Sequence, residues 1–313
     1  MKSAKVEKAI YLILVLVVIS WGLNVVMVKY LTLHMSPMLV ATIRMPLAGS
    51  VLLLVVWKRY GLYNPTKKQW GFLFYIGLTS ICLHQLLMGY GVVTTTATNA
   101  SLILALNPLT TALLASIFVG EKFTPNLGLG ILFGLSGVVL VVVSKSPSGA
   151  IGLSGLGDAI MILAMLVYVI GGLLTKKLLE TTIPTLVVTA YSTVIGGILL
   201  NLGTLTFFGP SAYGQIHFSA TAWVVLLLSA WGVTSLGTLG WNHGIKHLGA
   251  NRTAMFLNGM PFASMVGGVI FLNESIGWIH VMALILTSLG IVIGTVKQSG
   301  SILSLNKGNP VKS

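Results

Sequence analysis

Polar side chains set inside apolar runs are where chemistry would sit in this chain, because a polar group in hydrocarbon is costly unless something satisfies or uses it. Asn107 stands directly before Pro108, and Asn258 three residues before Pro261, each within a long apolar stretch. A proline removes one backbone donor and frees a carbonyl upstream. Either asparagine could therefore contact a solute beside a helix irregularity, or bond a neighbouring helix at a kink. Asn24 follows Trp21 by one helical turn and carries the same two readings. His84 and Gln85 are adjacent, so on a helix they point about 100° apart and only one is expected to face a cavity. Tyr168 and Trp231 lie near the middle of their runs, away from the headgroup level where interfacial aromatics gather. They stack on a solute or fill the core.

Charged groups are rarer. Arg44 lies well inside its run, roughly 12 Å deep at 1.5 Å per residue. There it binds an anionic group, snorkels outward, or bonds backbone carbonyls. Glu121 and Glu274 stand at the ends of runs and read as caps or loop contacts holding tight hairpins. With Pro108 and Pro261 as flexible points, these residues form a structural or gating set around the polar groups. No H-E-x-x-H, G-x-S-x-G or Walker A pattern occurs, and His and Cys do not cluster. An enzyme, a resident cofactor and a metal site are therefore not expected. Cys82 is a lone cysteine, so no internal disulfide forms.

The elements that must position these groups follow from composition. The chain has 313 residues, 55% hydrophobic and 7% charged, against about 25% charged in a soluble domain. Its mean hydropathy is +0.96. The solvent is therefore lipid. Apolar runs of spanning length fall near 9–30, 36–57, 70–90, 95–119, 125–144, 156–176, 184–207, 220–243, 251–273 and 276–296. This is an all-α polytopic membrane protein of about ten helices. Lys2, Lys5 and Lys8 precede the first run as in a signal peptide, but the run continues to about Lys29 without a small-residue cleavage site, so it is read as a retained span. The net charge of +13 reports orientation rather than nucleic acid, because the basic residues sit between runs and no Arg/aromatic platform accompanies them. Lys58, Arg59, Lys67, Lys68, Lys122, Lys176, Lys177 and Lys246 share one side with both termini, while Lys29 and Lys145 fall on the other. The expected setting is the cell membrane, multi-pass, with both termini cytoplasmic; a monomer is compatible with the sequence.

The chain also repeats itself. Lys29 and Lys176, Pro37 and Pro184, and Gly49 and Gly196 are related by an offset of 147 (184 − 37). From the third run the offset is 153 (261 − 108), pairing Trp70 with Trp223, Leu83 with Leu236, Pro108 with Pro261, Glu121 with Glu274 and Gly137 with Gly290. The six-residue difference fits an insertion near 209–218. Two five-helix repeats are expected at 9–144 and 156–297. Five is odd, so the second enters the membrane inverted, as in transporters built on a pseudo-two-fold axis in the membrane plane.

These residues resemble a known family. SWGLNVVMVKYL, ATIRMPLAG, the hairpin TNASLILALNPL…FVGEKF and the closing SLGIVIG are similar to the drug/metabolite transporter superfamily, in its ten-helix EamA-type branch. The resemblance spans both halves. It implies alternating access through a central cavity lined by helices one, three, four, six, eight and nine, and export of small metabolites, amino acids among them. The second half departs from the first: Met260 replaces the asparagine before the proline.

Substrate charge can be read from the carboxylates Glu7, Glu121, Asp158, Glu180 and Glu274, none of which falls at mid-membrane. A dedicated site for a lipophilic cation needs a buried anion. The expected partner is a neutral or zwitterionic, amino-acid-like small molecule in a lipid bilayer, with an anion second and His84 as the deep group for any proton coupling. A membrane-embedded enzyme or a channel for a small polar solute is the alternative.

Overall fold

The computed structural model describes residues 2–118, 123–144, 153–215 and 219–296. Within hydrocarbon each backbone N–H and C=O must be satisfied inside its own segment, so an apolar chain of this kind resolves into helices. Ten follow in order: α1 (Lys8–Thr32), α2 (Pro37–Tyr60), α3 (Lys67–Thr94), α4 (Ala97–Phe118), α5 (Pro125–Leu140), α6 (Gly155–Leu179), α7 (Thr185–Phe208), α8 (Ala220–Leu248), α9 (250–272) and α10 (Trp278–Ile293). Seven are long and apolar enough to cross a membrane; α5, α10 and the Phe256–Leu272 part of α9 are shorter apolar helices. No strand occurs among the described residues.

Local sequence sets the starts. Ser36 caps α2 by accepting from Leu39 N, and Pro37 occupies the first turn, where a missing N–H costs nothing. Thr66 and Gln69 form a reciprocal capping box at α3. Thr96 caps α4, which settles the division of α3 from α4.

The repeat is visible in the backbone's irregularities. Gly77–Leu83 in α3 and Leu228–Leu236 in α8 are both π-helical and end 153 residues apart (236 − 83). Helix α4 breaks after Ala97–Leu104 and resumes at Asn107. Helix α9 runs through Ala250–Met255, a 3-10 turn at Phe256–Gly259, and resumes at Met260, again 153 residues on (260 − 107). The 3-10 turn Pro210–Gln215 lies where the offset changes.

Counterpart helices pack on each other head to tail. On α2 and α7, Asn201 Nδ2 donates to Thr42 O at 3.2 Å, and Thr42 Oγ1 meets Thr204 Oγ1 at 2.7 Å. Further along, Pro46 lies against Gly197 and Gly49 against Val194, so one number rises as the other falls. On α5 and α10, a Cβ at Gly290 would come within 2.6 Å of Gly134 N and Gly130 O, while one at Gly137 would meet Thr287 Oγ1 and Ala283 O. Both pairs are antiparallel, which is the inversion that an odd helix count requires. Small residues let these backbones meet, as membrane helix packing favours. Leu16, Leu54, Leu132, Phe207, Val266 and Ile270 are exposed on the outer surface of the bundle and suit a lipid-facing perimeter.

Candidate functional site

A cavity of about 90 Å³ lies at the centre of the bundle, room for several waters or one small solute. It is lined from α1 (Trp21, Asn24), α3 (Ser80, Ile81, His84, Gln85, Met88), α4 (Leu104, Asn107), α6 (Tyr168, Gly172, Thr175), α8 (Thr234, Thr238, Trp241, Asn242, Ile245) and α9 (Leu257, Met260), with Ser192 reaching in from α7. These are the six helices that the family resemblance implied, plus one residue of α7. Five of the residues singled out in the sequence meet here: Asn24, His84, Gln85, Asn107 and Tyr168.

One wall is aromatic. Trp21 and Trp241 have ring centroids 5.1 Å apart, Trp21 stands edge-on to Tyr168 at 6.2 Å, and Tyr168 lies 4.7 Å from the His84 ring. His84 Nδ1 is 3.0 Å from Ala164 O. A carbonyl only accepts, so Nδ1 carries the proton and Nε2 of the neutral ring is an acceptor. Asn107 sits where Pro108 cannot donate. Its Nδ2 donates to Leu104 O at 2.6 Å, the carbonyl that the proline leaves over, and its Oδ1 is buried with no partner. The two readings of Asn107 therefore combine: its amide nitrogen mends the helix break and its oxygen remains available.

Arg44 neither snorkels nor bonds backbone carbonyls. It is 1% exposed, and its guanidinium donates to Asn24 Oδ1 at 3.3 Å, to Ser229 Oγ at 3.0 Å and to Gln85 Oε1. One side chain of α2 thus ties α1, α3 and α8 together behind the cavity wall. His84 and Gln85 both line the cavity, against the expectation that only one would. The cavity meets a broad face of α3, from Ile81 to Met88, just past the π segment.

Two residues go elsewhere. Trp231 is not among the cavity-lining residues; it is 43% exposed on the bundle's outer face, with Nε1 donating to Leu47 O at 3.1 Å. It falls inside the π segment of α8, whose wider turns shift the register away from that of an α-helix. Asn258 is half-buried, with an unpartnered Oδ1, and is not a lining residue either. In its 3-10 turn, residues three apart eclipse, so Leu257 and Met260 share the inward face and Asn258 turns off it. Glu274 caps a helix other than its own neighbours'. It accepts from Ala97 N at 2.7 Å, from Thr98 N at 3.2 Å and from Thr98 Oγ1 at 3.0 Å, and pairs with Lys29 at 3.3 Å. The carboxylate thus holds the start of α4 and the end of α1 against the end of α9, where a helix N-terminus favours negative charge. Glu121 and Lys145 lie outside the described residues. Pro108 and Pro261 are buried at the breaks and do not line the cavity.

Trp241, Asn242 and His243 stand at the end of their apolar run, where the sequence suggests an interfacial belt or gate; in the structure Trp241 and Asn242 are buried and line the cavity. The signal was present: Thr234, Thr238, Trp241, Asn242 and Ile245 recur at helical spacing on one face.

The sequence pattern of the EamA-like transporter family matches residues 8–143 and 155–295. An uncharacterized transporter, YyaM of Bacillus subtilis (strain 168), is 30% identical over 90% of this chain and 94% of its own length. A protein of Streptantibioticus cattleyicolor named a probable terminal-alkyne amino-acid exporter is 25% identical over 86% of this chain and 87% of its own. A solved crystal structure superimposes with a TM-score of 0.67 at 18% identity, covering 92% of this chain and 96% of that one, a likeness of fold.

Proposed function

The chain belongs to the EamA-like transporter family, and from that premise we propose that it exports a small neutral or zwitterionic, amino-acid-like metabolite by alternating access. The observation that carries this reading is the lining of the central cavity. Asn24, His84, Gln85 and Asn107 stand against Trp21, Tyr168 and Trp241, with no carboxylate among them. Such a lining offers hydrogen bonds and aromatic faces in both directions, and gives a lone cation no carboxylate to pair with. The S. cattleyicolor relative's name supports amino-acid-like cargo and the outward direction.

The inverted halves, 9–144 and 156–297 in this reading, supply the mechanics. Two similar units packed head to tail can exchange conformations, so a cavity reached from one face implies a state reached from the other. The two ends of the bundle differ. The end carrying Lys67, Lys68, Lys176 and Lys177 joins α3 to α6 through Gln69 and Thr181, and the positive-inside rule makes it cytoplasmic, with both termini. At the opposite end Glu274, Lys29 and the start of α4 are tied together, a closure suited to the extracellular side of a cell membrane. Pro108 and Pro261 serve as the yielding points within α4 and α9. Transport as a monomer is sufficient for this scheme.

Cells expressing the protein are expected to export toxic amino-acid analogues and gain resistance to them, and to gain none against the permanent cation ethidium. Ethidium efflux that persists in Asp158→Asn would overturn the substrate reading.

A further inference from the structure

Arg44 brings a guanidinium into the bundle at 1% exposure, and among the described residues no carboxylate answers it. Asp158 accepts from Thr95 Oγ1, Glu274 pairs with Lys29, and Glu180 is exposed. Among the described residues the acceptors around Arg44 are all neutral oxygens, and its Nε has no partner. A buried cation without a counter-charge is costly unless something in the protein's working cycle meets it.

The acceptors show what that is. Arginine carries donors only, so the amide atoms that face it must be oxygens. This orients Asn24 and Gln85 with Oδ1 and Oε1 turned toward Arg44, and Ser229 Oγ, donating to the same Asn24 Oδ1, reinforces the choice. Asn24 Nδ2 and Gln85 Nε2 then have no partner among the described residues, and both side chains line the cavity. Two N–H₂ groups backed by an unneutralised positive charge match a carboxylate in donor type and sign.

We propose that Asn24 and Gln85 form the subsite for the substrate's carboxylate, with Arg44 as the positioning residue that holds both amides oxygen-inward and supplies the positive field. The proposal rests on the reading of the cavity as the transport site. The acceptors Asn107 Oδ1, which has no partner among the described residues, and His84 Nε2, the ring nitrogen that Ala164 O does not engage, receive the ammonium end. The cavity is therefore polarised, and an amino acid enters it in one orientation.

The test uses the purified full-length chain and matched ligand pairs: leucine with isoamylamine, and phenylalanine with phenethylamine. Thermal melting and counterflow in liposomes are both read. The native protein is expected to favour the amino acid over the amine about tenfold or more, the discrimination one charge-assisted hydrogen bond supplies. Gln85→Glu sets a carboxylate against Arg44, cancels its field and replaces a donor with an acceptor, so the preference is expected to reverse. Asn24→Asp makes the same change from α1 and serves if the first variant does not fold. Equal response of the native protein to both members of a pair overturns the carboxylate subsite and leaves the transport reading standing. So does an equal loss for both members in the variants, the signature of a merely structural Arg44. Response to no member of any pair overturns the transport reading and this one with it.

Discussion

The two helix breaks at Asn107-Pro108 and Met260-Pro261 share a backbone plan and differ in how they mend it. Each proline leaves the carbonyl four residues earlier without its helical donor. In α4 that carbonyl, Leu104 O, is taken by the Asn107 side chain at 2.6 Å. In α9 the corresponding Leu257 O is taken by the backbone N–H of Met260, through the 3-10 turn Phe256–Gly259. The first solution places a polar side chain in the cavity with an acceptor to spare. The second places a thioether there, because the backbone has already served the carbonyl. The two breaks are thus equivalent frames whose polar lining is one-sided.

Converting one break into the other is expected to have the largest effect. Asn107→Met leaves a buried carbonyl unmet at about 1–3 kcal/mol, and removes the free acceptor from the cavity. Transport of amino acids into liposomes should fall at least about tenfold, in line with loss of one such bond. Met260→Leu, which keeps the backbone bond, should stay within about twofold, as volume-conserving swaps do. Equal damage from both would mean that the two breaks serve transport alike. A smaller effect separates them further. Pro108→Ala restores an N–H that can reach Leu104 O, so the double variant Asn107→Met/Pro108→Ala should melt higher than Asn107→Met alone, with a coupling of about 1 kcal/mol. No comparable coupling is expected between positions 260 and 261, where the carbonyl is already bonded. The smallest effect belongs to Trp231→Leu on the outer face of α8. It should leave transport within about twofold, as for substitutions away from a site; a loss like that of Asn107→Met would contradict the cavity assignment.

Much of this molecule could be read without coordinates, for a physical reason. Lipid forces regular helices, so apolar run length fixes the elements, and the paired prolines and glycines fix the repeat. Gly137 and Gly290 are legible because a backbone contact at the α5–α10 seam tolerates no Cβ. The inward set was legible in part: Asn24, His84, Gln85, Asn107 and Tyr168 converge. Trp231 and Asn258 misled because a π segment and a 3-10 turn reset the helical phase, and neither is written in the apolar pattern around them. Arg44 was visible as a deep charge. Its partners come from α1, α3 and α8, and a convergence of four helices has no local sequence signature.

Counterflow would show whether the central cavity carries an amino-acid-like solute by alternating access, as proposed here. Purified protein in liposomes loaded with unlabelled leucine or phenylalanine should take up the labelled amino acid transiently above equilibrium, saturably and unchanged. Uptake that rises without saturation and shows no overshoot, or a labelled product chemically different from what was supplied, would contradict it.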